Sequence, residues 1–285
     1  MKDISITLLK VIVIVFIIGI SVFFSMETYT GKISIFSWNN DVMSKNDREW
    51  LLKYMNKYDI NVLFQSFEES NDFRKLTKTL YDNDLETYAV IGSSDMAIDQ
   101  SGQTLIQEIN RVVNFNNKSN DNEKISGIVV DAEPYASDKW DSLSDSEKRS
   151  IMVSYSSNLK KAHDITSNNN IKLVPCIPHF FESFDIEATK EIILNCSDEI
   201  AVMNYNRTNE FEQIKNELIW AKEKNIPIWC IYEFQQSGKH GLKDINTYYK
   251  EGINGARASF KELLIKSDYN KLYLSIHEYS SLKFR

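Results

Sequence analysis

The chain predicts an α/β fold, an eight-unit (β/α)8 TIM barrel preceded by an N-terminal membrane-anchor helix, and three observations carry that prediction. From Ile33 onward, short apolar runs alternate with longer amphipathic ones, the pattern of parallel strands joined by crossover helices. The apolar runs are continuous, with no polar alternation, as in strands covered on both faces. Eight units favour a closed barrel over a doubly wound sheet, and no Gly-rich phosphate-binding turn follows the first run, which reads Phe36-Ser-Trp-Asn-Asn-Asp41.

The elements follow in order. Lys2 and Lys10 precede or punctuate an apolar segment from Ile4 to Phe24, about the length of a bilayer-spanning helix. Its end, Ser21-Val-Phe-Phe-Ser-Met-Glu27, has no small-x-small cleavage pattern and no cysteine for a lipid, so residues 1–26 read as a signal-anchor, a transmembrane helix that is not removed. The leading lysines place the amino terminus in the cytoplasm and residues 27–285 outside the cell membrane, as a single-pass protein; cleavage would make the body secreted. The body then runs strand Ile33–Trp38, helix Asp47–Lys57, strand Asn61–Phe67, helix Phe73–Tyr81, strand Leu85–Gly92 and helix Thr104–Asn116. The fourth strand, Ile125–Asp131, is rich in β-branched residues, and Pro134 stops its ladder. In the helix Ser146–His163, Ile151, Tyr155 and Leu159 recur at intervals of four and make an apolar stripe. Strand Ile171–Ile177, helix Ile186–Asn195, strand Glu199–Tyr205, helix Glu210–Lys224, strand Ile226–Tyr232, helix Asn246–Ala256 and strand Leu272–His277 complete the cycle.

Composition narrows the function. A net charge of −7 without clustered Lys and Arg argues against nucleic acid as a partner. The three cysteines, Cys176, Cys196 and Cys230, are odd in number and widely spaced, which favours buried thiols over a disulfide. Four scattered histidines with no metal-ligand spacing predict neither a metal nor another cofactor, and no Gly-x-Ser-x-Gly elbow marks a nucleophilic serine.

Barrel chemistry belongs at the carboxyl ends of strands, and the fourth strand ends in Asp131-Ala-Glu133. The period of two sends both carboxylates to one face, where desolvation beside a like charge is costly and marks a functional pair. The same strand end adds Tyr135, and the other strand ends supply Trp38, Gln65, His179, Asn204, Tyr205, Asn206, Glu233, Gln235 and His277. Amides, carboxylates and rings without a metal cluster suit a saccharide: rings stack on apolar sugar faces and the polar groups bond hydroxyls. Trp38, Trp140 and Trp229 are candidate platforms.

The stretch Ser126-Gly-Ile-Val-Val-Asp-Ala-Glu133 resembles the strand-four Asp-Gly-x-x-x-Asp-x-Glu signature of chitinase-like glycoside hydrolases, with Ser126 and Val129 in place of two acids. Met203-Asn-Tyr-Asn206 is similar to the strand-six Met-x-Tyr-Asp of the same families, with Asn206 for Asp. The resemblance implies Glu133 as general acid, Asp131 as its partner and Tyr205 as orienter of an acetamido group that attacks the anomeric carbon. A second glycosidase pattern, with an acid/base Glu before Pro after strand four and a nucleophilic Glu after strand seven, is similar to Ala132-Glu-Pro134 and Trp229-Cys-Ile-Tyr-Glu233. Both imply a retaining glycosidase acting on a polysaccharide or cell-surface glycan with Glu133 as proton donor. A degenerate, non-catalytic carbohydrate-binding barrel and an anchored assembly protein are the alternatives.

Overall fold

The computed structural model describes residues 31–38 and 40–283. The expected anchor, residues 1–26, lies outside them; among the described residues no helix is long and apolar enough to cross a membrane. The described residues from Lys32 onward form one compact unit built on a closed barrel of eight parallel strands in chain order.

The strands are β1 (Ile33–Ser37), β2 (Val62–Ser66), β3 (Glu86–Ile91), β4 (Gly127–Val130), β5 (Lys172–Pro178), β6 (Ile200–Met203), β7 (Ile228–Glu233) and β8 (Leu272–His277). All eight expected strands are present, four of them trimmed by a residue or two at each end, while β5 and β7 start later and run one residue further and β8 keeps its expected bounds. Each pairs with the next, and β1 closes on β8 with Ile33 opposite Leu274. Between them run the helices α1 (Lys45–Lys57), α2 (Asn71–Tyr81), α3 (Ser94–Ile98), α4 (Gln103–Asn117), α5 (Asp145–Ser167), α6 (Ile186–Asn195), α7 (Glu210–Gln213), α8 (Lys215–Lys224) and α9 (Gly252–Ser267).

Local chemistry sets several helix starts. Side chains of Ser44, Ser70, Ser144 and Asp185 each accept a backbone N–H in the first turn of α1, α2, α5 and α6, and Ser144 with Glu147 forms a capping box. The short helix α3 was not expected, and two expected helices differ in their bounds. The span expected as one helix over 210–224 breaks at buried Ile214, which leaves helical geometry between α7 and α8. The last long helix starts at Gly252 rather than near residue 246, because residues 244–246 form a separate 3-10 turn.

Inward residues fill the barrel: Phe36, Phe64, Tyr88, Val90, Val129, Val174, Cys176, Met203, Trp229 and Ile231 belong to one buried cluster. At the amino end of the barrel, Glu199 is 4 % exposed and accepts from the Trp229 indole N–H at 2.6 Å and from the Tyr88 hydroxyl at 3.3 Å, while Lys172 stands 2.9 Å away. The three cysteines are free and buried.

Gly127 pairs with Tyr88 across the β3–β4 seam, and a Cβ there would lie 2.6 Å from the Tyr88 ring. That ring is buried and pinned by its hydroxyl, so it has no room to retreat. Gly127→Ala is expected to destabilise the fold by about 1–3 kcal/mol, read as a lower urea midpoint at unchanged m. An unchanged midpoint would show that the seam can open.

Candidate active site

At the carboxyl end of the barrel lies a cavity of about 690 Å³, within the range of small-ligand sites. Its walls come from β1, from β5 through β8 and from the segments after β4 and β7; no residue of β2 or β3 lines it. Val129 points inward, so the period of two carries Asp131 and Glu133 to the same side, and both line the cavity.

Asp131 is held in place by its backbone N–H on Ile91 O at 2.8 Å and by the close approach of Gly92, where a Cβ would stand 2.1 Å from the Asp131 carbonyl oxygen. Its Oδ1 is buried without a hydrogen-bond partner. Desolvation and then the Glu133 charge push its carboxyl up to about 7, against the hydrogen bond from the Cys176 thiol and the charge of His277. Glu133 Oε1 accepts from the Tyr135 hydroxyl at 2.5 Å. Burial and the Glu133 carboxylate raise the Tyr135 phenol, so it stays a donor. Tyr205 is raised well above its ordinary range by burial, then by Glu233, and its ring centre is 6.5 Å from that of His277.

The raised Asp131 group gives a pH dependence with a definite sign. The folded state keeps a proton that the unfolded chain loses above 3.8, so this contribution to stability is present at acid pH and fades as pH rises towards about 7. Asp131→Asn is expected to flatten that slope and to gain stability over the parent on the neutral side, in urea melts at about pH 5 and about pH 8. An identical slope in both proteins would place the titration elsewhere.

Glu233 is 3 % exposed and fully engaged. Its Oε1 accepts from the backbone N–H groups of Phe234 at 2.8 Å and Gln235 at 2.6 Å, and its Oε2 meets His277 Nδ1 at 2.8 Å. The other imidazole nitrogen, Nε2, takes the Trp38 indole N–H at 2.7 Å. Burial disfavours the imidazolium of His277, but the hydrogen bond and charge of Glu233 outweigh it and raise the group. His179 is lowered by burial and lines the opposite wall with Phe180.

Of the residues singled out in the sequence, the structure brings Trp38, Asp131, Glu133, Tyr135, His179, Tyr205, Asn206, Glu233, Gln235 and His277 onto this cavity. Gln65 and Asn204 do not reach it. Their neighbours Phe64 and Met203 point inward, so both amides turn outward to the helix layer. Asn204 there donates to Glu210 O at 2.9 Å and accepts from Gln213 at 2.9 Å, which ties α7 to the barrel. Trp140 and Trp229 are buried away from the cavity, which leaves Trp38 as the indole on its wall.

Other lining residues escaped the sequence. Gln213 sits at the break between α7 and α8, and His240, Leu242 and Asn246 come from the segment after β7, whose glycines Gly238 and Gly241 adopt positive φ. Thr247 ties that segment back by donating to Gln235 O at 2.7 Å, and Asn246 donates to Tyr205 O at 2.6 Å. Among the described residues no group of three or more His, Cys, Asp or Glu is arranged to hold a metal ion.

No protein-family model matches the chain, and no curated protein matches it in sequence. Its fold does have solved counterparts. A chitinase from Chromobacterium violaceum ATCC 12472 superposes with a TM-score of 0.55 at 12 % identity, over 89 % of this chain and 96 % of that one. The Bacillus cereus spore cortex-lytic enzyme SleL gives 0.54 at 12 % identity, over 87 % and 71 %. D-psicose 3-epimerase from Clostridium cellulolyticum H10, solved with D-tagatose, gives 0.54 at 11 % identity, over 86 % and 84 %. At such identities the likeness is one of fold: this is a TIM barrel of the kind used by chitinases and by sugar epimerases alike.

Proposed function

We propose that the chain is a glycoside hydrolase acting on a polysaccharide or cell-surface glycan that contains N-acetylated sugars, with Glu133 as general acid. The observation that carries the reading is the cavity floor. Two carboxylates from one strand end share it, and one of them, Asp131, has a buried oxygen with no partner and a carboxyl raised to about 7. The neighbours named chitinase and cortex-lytic enzyme support it, but the epimerase shares the fold equally, so the site must decide.

In this reading Glu133 gives its proton to the glycosidic oxygen as the bond from that oxygen to C1 breaks. The acetamido carbonyl oxygen of the same sugar closes onto C1, with its N–H on Asp131 and its oxygen near Tyr205. Water then opens the resulting ring, returning a proton to Glu133, and the configuration at C1 is retained. Glu233 is a poor nucleophile because neither oxygen is free. Trp38, Tyr135, His179, Asn206 and Gln235 contact the sugar, and the apolar segment of residues 1–26 tethers the barrel outside the cell.

The test is the full-length chain in detergent against a panel of N-acetylated and plain polysaccharides, with new reducing ends as readout. Product from the N-acetylated members, of retained configuration by NMR, is the expected result. Binding without product supports a non-catalytic carbohydrate-binding barrel, for which the departures at Ser126, Val129 and Asn206 provide the motive. Neither binding nor product overturns both.

A further inference from the structure

The hydrogen-bond arithmetic around His277 specifies one protonation state. An indole N–H only donates, so Nε2 of His277 must offer a lone pair to Trp38. Nδ1 then carries the proton and donates to Glu233. Three N–H donors converge on the two oxygens of Glu233, the set of partners that suits a carboxylate. The Trp38 ring is further stacked on Phe36 at 5.9 Å and 19°, and Phe36 meets the His277 ring at 5.5 Å. The indole is thus clamped at its N–H edge and on one side, and its N–H is unavailable to a ligand. What Trp38 offers the cavity is ring surface alone.

We propose that Glu233, His277 and Trp38 form a positioning chain that fixes the indole as a platform for the apolar face of a saccharide ring, held only while His277 is neutral. The platform rests on the saccharide reading of the cavity; the chain of hydrogen bonds does not. Protonating Nε2 sets donor against donor and releases the indole. The groups facing His277 are Glu233 from β7, Asp131 just after β4, Tyr205 just after β6 and Glu278 next in sequence. The carboxylates among them favour the imidazolium, so the clamp opens as pH falls through a His277 value raised above the ordinary 6.5 and is intact above it.

Two measurements on the full-length protein decide this. The first is ¹⁵N NMR of the imidazole. It should report an Nδ1–H tautomer at alkaline pH, and the Trp38 indole N–H resonance should move with the His277 titration. The second is the affinity for a chito-oligosaccharide across the same pH range, in the parent and in Trp38→Phe, which keeps a ring but removes the donor. The parent-to-variant affinity ratio cancels the titration of Asp131 common to both, and it should fall on the order of tenfold towards acid pH. Glu233→Gln, with one oxygen for three donors, should weaken binding in the parent and add nothing in the Trp38→Phe background. An Nε2–H tautomer, a Trp38 resonance indifferent to His277, or a ratio constant with pH overturns the proposal. If no oligosaccharide binds at any pH, the platform falls together with the glycosidase reading, while the NMR titration still decides whether the chain of hydrogen bonds exists.

Discussion

Glu133→Gln is expected to lower hydrolysis by about 10²- to 10⁴-fold while leaving the fold and the affinity for substrate nearly unchanged. The amide is isosteric and still accepts the Tyr135 hydroxyl, so the wall of the cavity keeps its shape. In the proposed mechanism, what it loses is a proton to give to the departing oxygen. The loss should therefore be smaller for an aryl glycoside with an acidic phenol leaving group, which departs without protonation, than for a natural glycan. Parallel kinetics on the two substrates check this. Equal losses on both would point to disturbed binding, and full activity on the glycan would move the acid elsewhere. Oligosaccharide binding measured on the same variant separates a catalytic defect from a misfolded one.

The second large effect falls at the other end of the barrel. Glu199→Ala is expected to cost about 3–5 kcal/mol, because it strands the Trp229 indole N–H and the Tyr88 hydroxyl inside the barrel and removes the carboxylate beside Lys172. That is a large part of the net stability of an ordinary domain. Lys172 is half-exposed and can turn to water or towards Glu86, whereas the indole cannot move without breaking the inner packing. Glu199→Gln, which keeps an acceptor oxygen for Trp229, should recover part of the loss. Urea unfolding of the three proteins checks the order. A loss under about 1 kcal/mol for Glu199→Ala would mean that the two donors find water.

The barrel was legible because parallel strands buried on both faces cannot tolerate polar interruptions, so each of the eight runs stands out from the amphipathic helices. Asp131 and Glu133 were legible for the same reason: two acids ending such a run break its pattern. Gln65 and Asn204 show where reading by strand end fails, since a residue's place along a strand says how far up the barrel it lies, and only the parity against Phe64 and Met203 says which way it faces. The roles of Glu233 and His277 were beyond sequence. Nothing local to either residue indicates that Trp38, more than two hundred residues from His277, donates to it. The segment from Gln236 to Thr247 was also hidden, because its two glycines mark a loop without saying that the loop bends over the cavity.

The contact between Gly92 and the carbonyl of Asp131 has a consequence for how such a barrel can change over generations. Most positions at the end of β3 could drift without touching the chemistry, as that strand supplies no wall of the cavity. Gly92 cannot, since the first atom of any side chain would displace the backbone that aims Asp131. A strand that supplies no wall of the cavity is therefore followed by a position whose substitution reaches Asp131 directly, and lineages that keep the Asp131 backbone in place must keep that neighbour bare.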